Sequence, residues 1–346
     1  MAIVFDGPVT PDALTTFVRE VPTPADQVLN QLLPDKYFTK NSIDFAELTR
    51  TNRTARFRAY DGRLHVSERD TELTKTVKLP PLSTSLSMGE LERLQLEFAR
   101  TGGTNNSAIV DAIYDDATNL TREVQARMEQ ARGDVLTDGK FTLAGEGGLF
   151  LEADFGVPAN HFVAPGILWS STGTATIIAN EAGWVDTYVA TNGFAPGGQW
   201  ISRRILNYML QNAELRTLAA SLSGTPGLIT RPGLDAALAA YSLPPIERVY
   251  DTVVDVDGVA TRVIPDDRVI FVPPNVSDLG YTAWGVTATS LELVNSKQAE
   301  LSFSQAPGIV GVVEKSGPPY REFTYVDAVG MPVLANPKLL MVADVA

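Results

Sequence analysis

The sequence predicts an α+β fold with more reach than core. Three observations lead there. One amphipathic helical stripe runs unbroken from Ile109 to Val135, strand-like alternation flanks it on both sides, and the N-terminal stretch is punctuated by proline without a long helical period. The chain has 346 residues, enough for one large domain or two of medium size. Hydrophobic residues make up 44% and charged residues 20%, which is globular composition and too apolar for a disordered chain.

From the N-terminus, residues 1–49 read as an extended arm with short helical pieces. Pro8, Pro11, Pro22, Pro24 and Pro34 interrupt it. Thr10-Pro11-Asp12 opens a short helix through Val18, and Thr23-Pro24-Ala25-Asp26 opens another through Leu33, each with proline at its first position. Phe38, Ile43, Phe45 and Leu48 follow with no helical period, so the segment packs on its own body or on a neighbour. Residues 50–82 read as a long, polar two-stranded excursion with Asp61-Gly62 at its turn and Val77–Leu82 closing it. An isolated hairpin is marginal in water, so one this long is expected to lie on another subunit.

Residues 87–100 read as a short amphipathic helix carrying Leu91, Leu94, Leu96 and Phe98, broken by Gly102-Gly103. Then comes the clearest element. Ile109, Ile113, Ala117, Leu120, Val124, Met128, Ala131 and Val135 recur at steps of three and four, a helix of roughly 45 Å. Asp111, Asp115, Asp116, Arg122, Glu123, Arg127 and Glu129 occupy its other positions and read as a solvated face. Asn105-Asn106-Ser107 offers N-caps, and Thr137-Asp138-Gly139 is a C-terminal stop. The small residues Ala117 and Ala131, and the absence of a strict heptad, favour a helix laid across a sheet over a coiled coil.

Beyond it, Phe141-Thr142-Leu143 begins a strand that turns at Gly145–Gly148, and β pattern continues to Pro158. Ala175–Ala179 reads as a short buried strand, Gln199–Leu222 as one helix, and Leu234–Tyr241 as a helix started by Thr230-Arg231-Pro232-Gly233. Asp255-Val256-Asp257-Gly258 is a hairpin turn between Val253-Val254 and Val259. Val269–Val272 is a buried strand closed by Pro273-Pro274. The C-terminus reads as separate strands, Glu322–Ala328 and Pro332–Leu334, then Leu339–Val345. No repeat of solenoid or propeller period occurs.

Charge and chemistry narrow the function classes. Net charge is −13, which disfavours a dedicated DNA binder. Between Arg50 and Lys78, eight basic residues (Arg50, Arg53, Arg56, Arg58, Arg63, Arg69, Lys75, Lys78) stand against four acids, a net +4 that leaves −17 on the rest. A basic arm on an acidic body is the layout of a self-associating subunit; a solvated loop with chance charges is the plain alternative. Cysteine is absent, so disulfides and thiolate chemistry are excluded. The N-terminus lacks the features of a secretion signal, and no apolar run could span a bilayer.

Catalytic patterns are weak. Gly145-Glu146-Gly147-Gly148 has no Walker lysine and no Rossmann context. Asp255-x-Asp257-Gly258 lacks the remaining ligands of a calcium loop. The only histidines, His65 and His161, read as surface or packing residues. Asp115-Asp116 and Asp266-Asp267 are neighbours in sequence; on a helix the first pair points about 100° apart, which is no shared-proton dyad. Trp184, Trp200 and Trp284 read as core or interface anchors. No cofactor, metal site or catalytic residue is expected.

The order of parts resembles the lambda gpE-like major capsid proteins of tailed phages, which have the Hong Kong 97-type capsid fold. Four stretches carry the likeness: Arg127-Met128-Glu129-Gln130-Ala131 running into Asp138-Gly139-Lys140-Phe141-Thr142-Leu143; Val254–Val259; Ile264-Pro265-Asp266-Asp267-Arg268-Val269-Ile270-Phe271; and Tyr320–Tyr325 through Pro332–Pro337. They cover most of residues 50–346, and the first 50 residues match poorly.

The resemblance implies an N-terminal arm over 1–49 and an extended loop over 50–85 whose eight basic residues touch a neighbour. It implies a peripheral domain over 86–154 with spine helix 105–136, whose face is Ile109, Ile113, Leu120, Val124, Met128 and Val135. An axial domain would follow over 155–315, and C-terminal strands 316–346 would return to the peripheral domain. It further implies pentamers and hexamers of this chain in an icosahedral shell around double-stranded DNA, assembled in the bacterial cytoplasm. A portal, a separate scaffold protein in place of a cleaved N-terminal scaffolding segment, and a decoration or cement protein would be partners. Packaged DNA would lie near without sequence-specific binding, and no membrane is involved. An encapsulin-like compartment, another phage structural protein such as a tail tube or decoration subunit, and an α+β enzyme using Asp or Glu chemistry are the alternatives.

Overall fold

A computed structural model gives the fold and describes residues 9–46, 74–91, 94, 107–146, 148–223, 229–296, 302–317 and 321–346. The chain opens with helix α1 (Pro11–Glu20), whose cap Thr10 accepts a hydrogen bond from the Ala13 N–H at 3.3 Å. Leu14 and Val18, one turn apart, are fully buried. The second expected helix is a single 3-10 turn over Leu29–Gln31. The reason is a distant partner: the Leu29 N–H goes to the Glu129 carboxylate at 2.9 Å instead of to a preceding carbonyl. Leu29, Leu32 and Leu33 are buried, so this stretch packs on its own body.

Strands β1 (Asp35–Tyr37) and β2 (Ser42–Ala46) follow, then β3 (Thr74–Lys78), which pairs antiparallel with β2. The Asp61-Gly62 turn lies outside the described residues. Through Leu79-Pro80 the chain passes directly into β4 (Pro81–Met88), which joins the main sheet rather than closing the excursion. Helix begins again at Glu90-Leu91, and most of the expected 87–100 helix lies outside the described residues.

Helix α2 (Ser107–Asp138) is the long element, and its stripe from Ile113 to Val135 is buried throughout. It lies across the sheet, as the small alanines of the stripe predict. It ends at Gly139, whose φ of 70° suits glycine and whose N–H closes on the Val135 carbonyl at 3.0 Å. A hairpin of β5 (Lys140–Glu146) and β6 (Leu149–Asp154) follows.

The next region departs from two expectations. After β7 (Phe162–Val163), Ile177 and Ile178 open helix α3 (Ile177–Asn192) instead of forming a strand. A five-residue apolar run cannot distinguish a strand from a buried helix, and the buried positions continue at helical steps through Glu181, Trp184 and Tyr188. The single helix expected over 199–222 is strand β8 (Gly198–Ile201), helix α4 (Arg203–Gln211) and helix α5 (Ala213–Ser223). Ser202 and Asn212 make the breaks: Ser202 Oγ accepts from Ile205 N at 3.1 Å, and Asn212 Oδ1 from Leu215 N at 3.1 Å.

Helix α6 (Arg231–Ala240) and strand β9 (Ile246–Val249) lead to the hairpin of β10 (Val253–Val256) and β11 (Val259–Arg262). Its two turn residues, Asp257 and Gly258, both have positive φ, as a primed turn requires. Strands β12 (Arg268–Val272) and β13 (Gly280–Trp284), helix α7 (Ala288–Ser296), and strands β14 (Val310–Ser316), β15 (Arg321–Leu334) and β16 (Met341–Asp344) complete the chain. The two strands expected over 322–334 are one. Gly330 runs through the strand, and a Cβ there would sit 2.8 Å from the Ala283 carbonyl oxygen, so glycine allows two strands to approach. Pro332 is tolerated because Thr282 opposite it points its N–H to the Pro34 carbonyl at 2.9 Å on its other side, which makes this a pair that exchanges no hydrogen bonds and asks no N–H of Pro332.

One sheet has the order β1-β13-β15-β14 with β4 also on β15; the other has the order β7-β16-β12-β8-β9. The second sheet is buried on both faces. Ile270, Val272 and Val342 join the core beneath α2, while Val269, Phe271, Met341 and Ala343 join a second core with Trp169, Trp184 and Tyr188. Strand alternation thus gives one wall to two cores.

Gly133 on α2 tests the close packing. A Cβ there would meet the Val263 carbonyl oxygen at 2.2 Å, whereas the exposed Gly183 on α3 has nothing within 4 Å. Gly133→Ala is expected to destabilise by about 1–3 kcal/mol. Gly183→Ala should stabilise by about 0.5–1 kcal/mol in the same urea titration.

Candidate assembly surfaces and the latch beneath them

Under the outer surface of α2 lies a polar latch. Glu129 and Arg132, one turn apart, are buried despite their charge. Glu129 Oε1 accepts from the Leu29 N–H and from the Tyr250 hydroxyl, both at 2.9 Å. Arg132 donates through Nε to Thr282 Oγ1 at 2.8 Å, through one terminal nitrogen to Asp35 at 2.7 Å, and through the other to Glu129 at 3.4 Å. Trp284 Nε1 donates to the same Asp35 oxygen at 2.9 Å. Burial, with Glu129 beside it, pushes the Tyr250 phenol up, which keeps it a donor. Arg19 adds a clamp, donating to the carbonyls of Ile309, Gln305 and Pro307 at 2.9, 2.9 and 3.3 Å. Sequence periodicity assigns Glu129 to the solvated face, and the structure corrects this. The available signal was a Glu–Arg pair at i,i+3 bordering the apolar stripe.

The anticipated contact residues divide three ways. Arg50, Arg53, Arg56, Arg58, Arg63 and Arg69 lie outside the described residues. Lys75 and Lys78 stand on β3, opposite Phe45 and Ser42, and Lys78 is exposed. On the spine face, Ile113, Leu120, Val124, Met128 and Val135 are core residues and Ile109 lies within the helix. The tryptophans Trp184, Trp200 and Trp284 are also core residues.

The outward face of α2 floors a groove of about 1130 Å³, with Asn119, Arg122, Glu123, Arg127 and Gln130 along it. The tip of the β5–β6 hairpin and the acidic β10–β11 hairpin, with Asp255 and Asp257, form its sides. Exposed apolar side chains stand on several edges: Phe150 at the β5–β6 tip, Val259 on β11, Tyr37 on β1 and Leu91. These are contact chemistries rather than reaction chemistries. His161 is buried, its Nδ1 2.8 Å from the Leu340 carbonyl oxygen and its ring stacked on Tyr188; burial lowers its pKa. Asp266 pairs with Arg204 at 3.0 Å and Asp267 with Arg268 at 3.1 Å, so these two acids serve separate cations. Among the described residues, no group of three His, Cys, Asp or Glu side chains is placed to hold a metal ion. No helix among them is long and apolar enough to cross a membrane.

A long helix across one sheet and a second body sharing the other sheet define the Hong Kong 97-type capsid fold. The sequence model of the family described as phage major capsid protein E matches residues 10–345, and the chain belongs to that family. In structure it is similar to a protein assigned as the capsid protein of a prophage in Escherichia coli CFT073. The TM-score is 0.65 at 15% identity, covering 98% of this chain and 99% of that one. A phage-related protein from Bordetella bronchiseptica RB50 is similar at a TM-score of 0.55 and 15% identity, covering 99% and 98%. No curated protein matches the sequence. Family membership makes the chain a structural protein of a phage shell, assembling with copies of itself in the virion. It favours that reading over an encapsulin-like compartment or a tail or decoration subunit.

The latch gives a measurable expectation. Arg132→Leu leaves the buried Glu129 without its cation and the exposed Asp35 without its partner, and should cost about 3–5 kcal/mol in chemical denaturation. Denaturation midpoints equal to those of the wild type would mean that the latch contributes nothing to stability.

Proposed function

We propose that this chain forms the pentamers and hexamers of an icosahedral head enclosing double-stranded DNA. The observation that carries the proposal is the family match over residues 10–345. In this reading the core beneath α2 belongs to the peripheral domain, with spine helix 105–136 within residues 86–154. The core around Trp169, Trp184 and Tyr188 belongs to the axial domain of residues 155–315, and residues 316–346 return to the peripheral domain. Two separate cores support a division into two domains, although Leu279, Ala283 and Trp284 join the first core and Met341, Ala343 and Val345 the second, so the chain crosses between them more often than these bounds describe.

The extended loop of residues 50–85, up to strand β4, lies over an adjacent subunit, while the arm from Val9 to Leu33 packs on its own body. Charge supports that placement: the stretch from Arg50 to Lys78 is net +4 and the remainder −17. Complementary charge fixes register between copies. Each exposed pair is worth only about 0.2–1 kcal/mol, and repetition over many copies makes the contact cooperative. The acidic body also limits adhesion to packaged DNA, which needs no sequence-specific contact. Assembly takes place in the bacterial cytoplasm with a separate scaffold protein and a portal, and a decoration protein can bind the finished shell. The role requires no cofactor and no catalytic residue.

Reversing charge at Arg56, Arg58 and Arg63 together should leave thermal unfolding of the subunit unchanged and abolish closed shells, as seen by negative-stain electron microscopy of protein made with its scaffold. Normal shells from the triple variant would remove the electrostatic role of the loop. Raising salt during assembly of the wild type should slow shell formation, read by light scattering, because exposed pairs are screened.

A further inference from the structure

Glu181 is a buried acid that the shell role leaves without a task. It sits on the inner face of α3, fully buried in the core of Trp169, Trp184, Tyr188 and Phe271. Neither of its carboxyl oxygens accepts a hydrogen bond, and the buried Gln199 Oε1 likewise has no partner. An ionised carboxylate without a donor is strongly disfavoured in such surroundings. Gln199 on β8 is within hydrogen-bonding reach of Glu181. Its Nε2 donates to the Pro244 carbonyl at 3.1 Å, which fixes the amide orientation, since the flipped form would set two carbonyl oxygens against each other. That orientation leaves Oε1 as an acceptor in need of a proton, and a carboxylic acid supplies one where a carboxylate cannot.

We propose that Glu181 is a neutral carboxylic acid in the folded subunit, its O–H given to Gln199 Oε1, and that loss of this proton to water loosens α3 from the sheet of the second body. The elements packed on α3 bring no cation to the carboxyl. Glu214 on α5 is turned to the Ile178 N–H at 3.3 Å. His161, in the turn before β7, stacks on Tyr188 two turns along the helix. Lys338 lies at the far end, where its carbonyl accepts from Asn192. Arg216 on α5 is exposed, Glu247 and Arg248 stand on β9 beside β8, and Asp186 is on α3 itself. Burial pushes the carboxyl up to about 8, and the hydrogen bond with Gln199 opposes that rise without cancelling it.

The sign follows from the unfolded chain, where the same carboxyl ionises in the ordinary range. The contribution of neutral Glu181 is complete below that range, is lost progressively as pH rises to about 8, and is constant above it. Glu181→Gln keeps a donor for Gln199 and cannot ionise. Thermal unfolding of the unassembled full-length subunit should therefore show the wild type losing several degrees relative to Glu181→Gln between about pH 5 and pH 9. Parallel profiles would overturn the proposal. Infrared spectra of the wild type alone give a second test that does not depend on the variant folding. A protonated-carboxyl band present at neutral pH and lost by pH 9 supports the assignment, and its absence at neutral pH overturns it.

Discussion

Glu129 and Arg132 hold together parts of the chain as far apart in sequence as Leu29 and Thr282. Through one carboxylate and one guanidinium they fasten the turn at Leu29, the strand at Asp35, the central strand at Thr282 and the Tyr250 hydroxyl to a single turn of α2. A buried charge is tolerated only when its bonds are satisfied, so the arrangement demands that all of these segments be in place at once. The apolar contacts of Leu14, Val18, Leu29, Leu32 and Leu33 supply burial along the same path, and the polar bonds fix where along the helix each segment sits. The N-terminal segment from Val9 to Leu33 is thereby part of the body that a neighbouring subunit would meet.

The second organising feature is the sheet between the cores. Because side chains alternate on a strand, β12 and β16 deliver Ile270, Val272 and Val342 to one core and Val269, Phe271, Met341 and Ala343 to the other. A connection through a loop would let two bodies swing; a shared wall packed on both sides resists it. Strong curvature differences between positions in a shell are then most easily accommodated outside this joint.

How much of this was legible in the sequence depended on whether local pattern or distant packing decided each element. The stripe from Ile113 to Val135 decided α2, and Asp257-Gly258 decided the hairpin, because both signals are local. Ile177-Ile178 misled because five apolar residues fit either structure. Ser202 and Asn212 start new helices through side-chain bonds that periodicity does not register. The strand over 322–334 read as two because nothing local shows that Gly330 serves proximity to Ala283 across the sheet. Among the candidate contact residues, the spine face was legible as a buried stripe, whereas the latch was invisible, since charged residues beside an apolar stripe are assigned to water until their partners are known.

The position of the last strands has a consequence for synthesis. β15 holds the main sheet together between β14, β13 and β4, and β16 stands between β7 and β12 in the other. Each follows every other strand of its sheet in sequence, so neither core can close on the ribosome before these last strands have emerged. A prematurely terminated polypeptide lacks an interior strand of each sheet. It has no stable subunit surface to offer, so the growing particle is protected from incorporating truncated copies.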